Sequence, residues 1–285
     1  MADWLESSML SVEAQPATVS DSQILDILRE AEIQDHDAHL ENIIKQVRSR
    51  ASYLGSQYPI RRHELGFGSK NGSREDLVYR FLLFVSLNQA YQELAFRKGS
   101  ANIPAELFED LTLIALKRYA GGDAIRFGAP RRNPVPSSFP KAIEYLASTI
   151  FEAIGARDIE RQETGDDGLD IVAWLAFGDK RSSQLMLLAQ CAIGTDWKNK
   201  RSELDLALWR RHVDWHSEPL RVFSVPFHHE LGGSWRETAT RGGIIFDRLR
   251  IAKLAVGRSL STSLNGRIRS WLKKRVSATQ ALALT

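Results

Sequence analysis

Two polar residues at the ends of apolar segments are the strongest candidates for chemistry in this chain. Asp170 stands immediately before the apolar segment 171–177, and Gln190 lies within the apolar segment 185–192. Residues 178–183 between them are rich in Gly, Asp, Lys and Ser, which is typical of a tight turn. The pattern therefore predicts a β-hairpin whose two strands are buried on both faces.

The turn also predicts which residues of this hairpin face each other. A hairpin centred on Lys180 pairs residues whose numbers sum to 360, so Asp170 lies opposite Gln190 with both side chains on one face. Carboxylate and amide oxygens are ligands that Mg²⁺ accepts, and we interpret the pair as part of a metal site. The plainer alternatives are a turn aspartate and a core glutamine whose amide finds partners.

Three further residues could complete a site that hydrolyses phosphodiesters. Such a site needs a second hard ligand, a group that positions water, and a cation that stabilises the developing charge. Glu152, in the last turn of the helix expected before the hairpin, could supply the second carboxylate. Lys200 is the first choice for the cation and Lys198 the second, since both follow the second strand. Each of the three could equally be a solvated helix residue.

The elements that must position these residues form an α/β arrangement. A helix is expected from Pro140 to a stop at Gly155, followed by a polar edge strand at 157–163 and then the hairpin. A helix that begins at Asp196 and a strand at 220–227 come next. The order helix, strand, strand, strand, helix, strand predicts a mixed sheet with helices on its faces.

The rest of the 285-residue chain reads as helical. We predict a helical N-terminal region at 1–126 and a linker at 127–139, because the stretch around it holds several prolines and a basic pair. The α/β domain then occupies 140–246, and a basic helical extension occupies 247–285.

The charge distribution points to a polyanionic partner. From Arg248 to Thr285 there are nine basic residues and no acidic one, whereas the rest of the chain carries more acidic than basic residues. A basic segment of this kind is typical of nucleic-acid binding. A solvated helix face rich in Arg and Lys is the alternative.

Composition excludes several classes of protein. A single cysteine allows no internal disulfide, and no apolar run reaches the length of a membrane span. The N-terminal residues lack the pattern of a secretory signal, so a cytoplasmic location is expected. No phosphate-binding GxxxxGK[ST] motif is present. His212 and His216 have zinc-site spacing but lack the glutamate of HExxH, and His228 lacks the residues that an HNH site needs.

The predicted element order and two short motifs resemble the PD-(D/E)XK nuclease superfamily, in particular its Mrr-type restriction endonuclease branch. That branch has D-G-hydrophobic-D, as in residues 167–170 here, and Q-x-K, of which Gln190 is the first residue. The resemblance covers about 140–227. It implies an αβββαβ restriction-endonuclease-like core and Mg²⁺- or Mn²⁺-dependent cleavage of DNA, with Asp170, Glu152 and Gln190 as metal ligands.

One departure from the family pattern affects the expected activity. The family's lysine position is Ala192 here, so Lys200 or Lys198 would have to replace it. If neither does, the chain is a decayed nuclease fold that binds nucleic acid or a partner without cutting. A helical scaffold subunit of a larger complex is the second alternative.

The resemblance also bears on biology and partners. It implies a role in bacterial anti-phage defence by association with restriction enzymes. DNA is the expected partner, although the sequence does not distinguish DNA from RNA. A homodimer and an ATPase or helicase partner protein are compatible with the family, and the sequence identifies neither.

Overall fold

The computed structural model describes residues 2–10, 17–70, 73–87, 103–156, 165–230, 232–256 and 260–283. The polar edge strand expected at 157–163 lies outside the described residues. Within the described ranges no helix is both long enough and apolar enough to cross a membrane.

Helices and strands alternate along most of the described chain. The helices are α1 (Ala2–Leu10), α2 (Asp21–Glu30), α3 (His36–Leu54), α4 (Leu77–Ser86), α5 (Ile103–Ala120), α6 (Phe139–Ile150), α7 (Trp197–Lys200), α8 (Leu206–Arg210), α9 (Gly233–Gly242), α10 (Arg248–Leu254) and α11 (Thr262–Ala283). The strands are β1 (Thr18–Ser20), β2 (Ile60–His63), β3 (Gly66–Ser69), β4 (Asp123–Arg126), β5 (Ala153–Ile154), β6 (Ile171–Leu175), β7 (Leu185–Cys191), β8 (Val213–Asp214), β9 (Leu220–Ser224) and β10 (Ile244–Phe246).

The chain divides into two compact units, one inserted into the sequence of the other. Unit 1 consists of residues 1–100 and 256–285, and unit 2 consists of residues 101–255. The border predicted at residue 126 differs from this division because β4 is hydrogen-bonded to β6 and α5 packs on the same sheet. The predicted extension at 247–285 is also divided, with α10 in unit 2 and α11 in unit 1.

Unit 1 combines helices with a small antiparallel sheet in the order β1-β3-β2. Residues 55–72, whose glycines favour a loop within the predicted helical region, therefore contain the two strands β2 and β3. One of those glycines is required by the sheet, because a Cβ on Gly66 would lie 2.5 Å from the carbonyl oxygen of Val19. The neighbouring Phe67 is buried and anchors β3 in the core.

The core of unit 1 surrounds α4 and is closed by α11. The ring of Trp271 on α11 packs edge-on against Phe81, with 5.1 Å between the ring centroids. A buried polar cluster ties α1 to the same core, since the Glu6 carboxylate accepts hydrogen bonds from Arg50, Tyr58 and Tyr79 at 2.5–2.7 Å. Unit 1 thus depends on segments from both ends of its sequence.

Unit 2 is a mixed α/β structure built on a five-stranded sheet in the order β10-β9-β7-β6-β4. Strand β6 is antiparallel to both of its neighbours, β4 and β7, and β7, β9 and β10 are parallel. Helix α5 packs against β6 and β7, with α10 beside it. On the other face, α6 buries Ile143 and Leu146 in one cluster with Val172 and Leu188 of the sheet.

Predicted and observed elements agree closely along the central part of unit 2. The hairpin has the predicted register, with Ile171 opposite Ala189 and Leu175 opposite Leu185. The helix expected from Asp196 is instead two short helices, α7 and α8. The break occurs because Asp205 caps α8, where its carboxylate accepts a hydrogen bond from the Ala207 N–H at 2.8 Å.

Candidate active site

The hairpin places Asp170 and Gln190 at the same end of the mixed sheet. The paired register ends at Ile171 and Ala189, and Asp170 and Gln190 are the next residue of each strand. The Asp170 N–H donates to the Ala189 carbonyl at 3.0 Å, and the Cys191 N–H donates to Asp170 Oδ2 at 2.7 Å. The predicted register of the hairpin is confirmed for residues 171–175 and 185–189, whereas the approach of the Asp170 and Gln190 side chains to each other stays a prediction.

The loop after β4 closes on Asp170 from the other side. The N–H groups of Phe127 and Gly128 both donate to the Asp170 carbonyl oxygen, at 2.7 and 3.0 Å. A Cβ on Gly128 would lie 2.7 Å from Asp170 Oδ1. Glycine is therefore needed at this position for the loop to approach the carboxylate so closely.

The side-chain amide of Gln190 is buried, and only its NH₂ group has a hydrogen-bond partner. Its side chain is almost fully enclosed, and Nε2 donates to Glu203 Oε2 at 2.8 Å. Gln190 Oε1 is buried and has no hydrogen-bond partner in the structure. Because nearly all buried polar atoms in proteins are satisfied, this oxygen has the character of a ligand position.

Glu109, on α5, is a residue of this site that the sequence did not reveal. Burial raises the pKa of Asp170 from 3.8 to about 7, and the negative charge of Glu109 is the next largest cause. The Cys191 N–H opposes this rise, Asp166 adds to it, and Lys200 opposes it. Glu109 is thus close enough to Asp170 for the two carboxyl groups to repel each other.

The pKa of Glu109 is itself raised, mainly by burial, and Arg126 opposes the rise through an ion pair. Arg126 is the last residue of β4, so the first strand of the sheet supplies the counterion. We did not predict this pair because α5 and β4 were assigned to the N-terminal region. The signal that could have found it is the short connection Gly121-Gly122 between a strong helix and an Asp-Ala-Ile-Arg strand.

The two candidate lysines have different surroundings. The positive charge of Lys200 lowers the pKa of Asp170, so Lys200 lies within electrostatic reach of the carboxyl group. Lys198 instead has its Nζ 5.8 Å from the ring centroid of Trp197, and its charge acts on His229. Of the two, Lys200 is the cation that the structure brings toward Asp170.

The packing around Ala192 explains why no lysine stands at that position. Ala192 is 1% exposed and belongs to a small apolar cluster with Trp197, Phe223 and Val225. Trp197 is the first residue of α7, so the cluster also fixes the short helix that carries Lys200. A lysine at 192 would have to bury its charge where this cluster packs.

Glu152 does not join the site, contrary to its predicted role as a metal ligand. Its Oε1 accepts from the Ser183 N–H at 2.8 Å, and its Oε2 accepts from His216 N–H at 3.1 Å. Ser183 precedes Gln190 by seven residues of largely extended chain, a span of about 23 Å. Glu152 therefore holds the turn end of the hairpin, and Asp170 lies at the opposite end.

The histidines considered as metal ligands in the sequence form hydrogen bonds with nearby carboxylates. His212 is buried and pairs with Asp167 Oδ2 at 2.6 Å, whereas His216 Nδ1 pairs with Glu152 Oε2 at 2.7 Å. His228 Nδ1 pairs with Asp247 Oδ2 at 3.0 Å. In the described part of the chain, no group of three or more His, Cys, Asp or Glu side chains is arranged to hold a metal ion.

The donor set at the sheet end suits a hard cation that keeps much of its water. Asp170 offers a carboxylate and Gln190 offers an amide oxygen that lacks a partner. Mg²⁺ is commonly held by one or two carboxylates, with waters and substrate phosphates as its other ligands. The residues present therefore fit Mg²⁺ or Mn²⁺ on chemical grounds, with Glu109 adding negative charge nearby.

Comparison of the chain with family models, with curated proteins and with solved structures gave no match in any of the three. No activity can therefore be inferred from a related protein. The function has to be argued from the chemistry of the site.

Proposed function

We propose that unit 2 is a metal-dependent DNA endonuclease domain of the PD-(D/E)XK type, which hydrolyses phosphodiester bonds with Mg²⁺ or Mn²⁺. The observation that carries the proposal is the buried, unpartnered Gln190 Oε1 at the same end of the hairpin as Asp170, whose pKa is raised to about 7. An oxygen-rich, partly enclosed site at the end of a sheet suits a divalent cation and a phosphate.

The order of elements in unit 2 supports the same proposal. Helix α5, the antiparallel strands β4, β6 and β7, the helical crossover α7–α8 and the parallel strand β9 follow one another along the sheet. Apart from α6 and β5 after the first strand and β8 before the last, this order is compatible with the αβββαβ order that the resemblance implies. The proposed core therefore begins at α5 and not at residue 140.

Each residue of the site has a role in the proposed reaction. Asp170 and Gln190 would hold the cation, which when bound would polarise the phosphate and lower the pKa of a water molecule. Lys200 would stabilise the negative charge that develops on the phosphate. Glu109 contributes negative charge near Asp170, which favours occupation of the site by a cation. The ionised form of Asp170 is the one that binds a cation, so binding would release a proton at neutral pH.

A cleavage assay tests the proposal directly. The full-length protein is incubated with supercoiled plasmid and linear duplex, with Mg²⁺, Mn²⁺ or EDTA. We expect metal-dependent cleavage that falls at least about 100-fold in Asp170→Ala, because the remaining oxygen ligand is neutral. Asp179→Ala, which removes an exposed turn carboxylate, is the matched control and should cleave normally. Equal cleavage by Asp170→Ala and wild type would refute the site assignment.

Binding without cleavage is the second candidate function, and the burial of Ala192 favours it. If Lys200 does not reach the phosphate, the site lacks the cation that the family places there. Wild-type protein that binds DNA in a salt-sensitive manner without cutting it would support this alternative. Absence of binding to DNA and RNA at low salt would favour the scaffold alternative, with a protein partner for the basic segment.

The biological setting is proposed by association alone. A metal-dependent nuclease of restriction type would act in anti-phage defence. Lower plating efficiency of phage on bacteria that express the wild-type chain, lost with Asp170→Ala, is the expected result. Protection that is equal for both chains would separate any defence role from this site.

A further inference from the structure

The carboxamide of Gln190 has a defined orientation, which one neighbour imposes. An ionised carboxylate only accepts hydrogen bonds, so the end of the amide that faces Glu203 Oε2, 2.8 Å away, is the NH₂ group. Oε1 must then lie on the side of the amide away from Glu203, where it has no partner. Without Glu203, both orientations of the amide would be open to Gln190.

We propose that Glu203 is a positioning residue: its carboxylate takes the Gln190 NH₂ group and thereby presents Gln190 Oε1 as a neutral oxygen ligand for a divalent cation beside Asp170. The inference rests on the proposed function, because it assigns a metal to the same site. It adds a residue that touches neither the cation nor the substrate.

The backbone around Glu203 is fixed on two sides. Its N–H donates to the Lys200 carbonyl at 3.1 Å, and the following residue, Leu204, is buried in the core below the sheet. A Cβ on Gly168 would lie 3.3 Å from the Glu203 carbonyl carbon, so the turn that leads into Asp170 packs against this backbone. The glycine of the Asp-Gly-Leu-Asp motif thus lets Glu203 sit next to the strand that carries Asp170.

The side chain of Glu203 lies at the edge of the site. Residue 203 is exposed as a whole, whereas Gln190 is 4% exposed. The charged partner, Glu203, stays hydrated while the neutral amide is enclosed, which avoids burying a further carboxylate near Asp170 and Glu109. A cation at this site would therefore interact with the charge of the Asp170 carboxylate and with the dipole of the enclosed Gln190 amide.

Two substitutions of Glu203 separate loss of the hydrogen bond from reversal of the amide. Glu203→Ala removes the acceptor and leaves the amide free to turn. Glu203→Lys supplies an ammonium group, which only donates, so Gln190 Oε1 should turn toward it and away from the cation position. Glu144→Ala removes an exposed carboxylate elsewhere in unit 2, and Ser202→Lys adds a positive charge beside residue 203; these are the controls.

The first measurement is the NMR signal of the Gln190 side-chain NH₂ group in the full-length, metal-free protein. Its assignment comes from the signal that disappears in Gln190→Glu. We expect the resonance to shift in Glu203→Ala and in Glu203→Lys and to stay in place in both controls. An unchanged Gln190 resonance in a folded Glu203→Ala protein would overturn the positioning role, whether or not the protein cleaves DNA.

The second measurement is the affinity for Mn²⁺ by calorimetry, with Mg²⁺ titration of the same NMR signal. Residues that orient a metal ligand contribute about 10- to 100-fold to affinity, so we expect a loss of this size in Glu203→Ala and a larger loss in Glu203→Lys. Ser202→Lys should lose less than either. Equal losses of affinity in Ser202→Lys and Glu203→Lys would show that the added positive charge alone causes the loss, and would overturn the inference.

The two proposals fail in distinguishable ways. A wild-type Gln190 signal that Mg²⁺ does not move, together with Asp170-dependent cleavage, would overturn the role of Gln190 Oε1 and leave the nuclease assignment standing. Wild-type protein that neither binds Mn²⁺ nor cleaves DNA would overturn both the proposed function and the ligand role that rests on it.

Discussion

The surroundings of Asp170 determine the pKa of its carboxyl group. Its pKa is raised from 3.8 to about 7, mainly by burial and then by the charge of Glu109. The folded protein therefore keeps a proton on Asp170 between these pH values, where the unfolded chain has lost it. The stability that this carboxyl contributes is complete below about pH 4 and is lost as the pH rises through 7.

We predict that Asp170→Asn stabilises the metal-free protein at high pH. Asn keeps an oxygen that can accept from the Cys191 N–H and removes the buried charge. After allowance for partial solvent contact, the gain at pH 8 should be about 1–2 kcal/mol, and it should shrink toward pH 5. Thermal unfolding in EDTA at both pH values measures this. Asp179→Asn, an exposed carboxylate, should show no such dependence, and a gain independent of pH would contradict the argument.

For contacts between individual residues, the sequence predicts only those that the strand register determines. Asp170 and Gln190 lie at the same end of the hairpin because a symmetric turn fixes the register of β6 and β7, and a turn is visible in the sequence. Glu109 and Glu203 approach the same site from a helix and from a turn between two helices. Their positions depend on how α5 and α7 pack on the sheet, and no local pattern encodes that packing.

Among the elements, the hairpin of β6 and β7 has two ends with different tasks. Asp170 lies at the end of the proposed active site, and Glu152 fastens the turn at the other end. The side chain of Glu152 is fully buried, and it accepts hydrogen bonds from the Ser183 and His216 N–H groups and from the His216 ring. Its role is to hold the strands of the hairpin in place against the segment after β8.

We predict that Glu152→Ala destabilises unit 2 without weakening metal binding. The substitution removes the acceptor of two partly buried N–H groups, which should cost about 1–3 kcal/mol. Urea unfolding followed by tryptophan fluorescence measures the loss. Glu144→Ala, at an exposed position of α6, is the control. A folded Glu152→Ala protein whose Mn²⁺ affinity falls as far as that of Asp170→Ala would restore the metal-ligand interpretation.

The success of prediction also varies among elements for physical reasons. Strands β6 and β7 are almost wholly apolar, and α5 is bounded by Pro104 and by Gly121-Gly122, so their patterns are unambiguous. Strand β4 has four residues and two charged ends, and its identity as a strand comes from pairing with β6. Because that pairing joins residues more than forty apart in sequence, the start of the α/β unit was placed too late.

In the whole molecule, the basic residues of the C-terminal segment 248–285 do not all have the role in polyanion binding that the sequence suggests. Arg248 is fully buried and donates to the Pro226 carbonyl, so it belongs to the structure of unit 2. Lys273 and Lys274 are exposed on α11 in unit 1. Arg248 is therefore not available to a polyanion, whereas the exposed Lys273 and Lys274 are.

We predict that Lys273→Ala/Lys274→Ala weakens binding to duplex DNA at low salt. Each phosphate contact that is lost should reduce the slope of log Kobs against log salt by about 1. Fluorescence anisotropy over a salt series measures the slope. The control is Lys45→Ala/Arg48→Ala, which removes the same charge from the exposed face of α3. Equal effects in the two double variants would show that net charge, and not α11, determines binding.

The insertion of unit 2 has a consequence for the biosynthesis of the chain. Helix α4, which is apolar and buried almost all round, leaves the ribosome well before α11, whose Trp271 packs against it. At ordinary translation rates of about 5–20 residues per second, the delay is roughly 10–40 s. During that interval unit 2 can fold while α4 still lacks its cover. The nascent chain should therefore be a substrate for chaperones that bind apolar segments until α11 has been made.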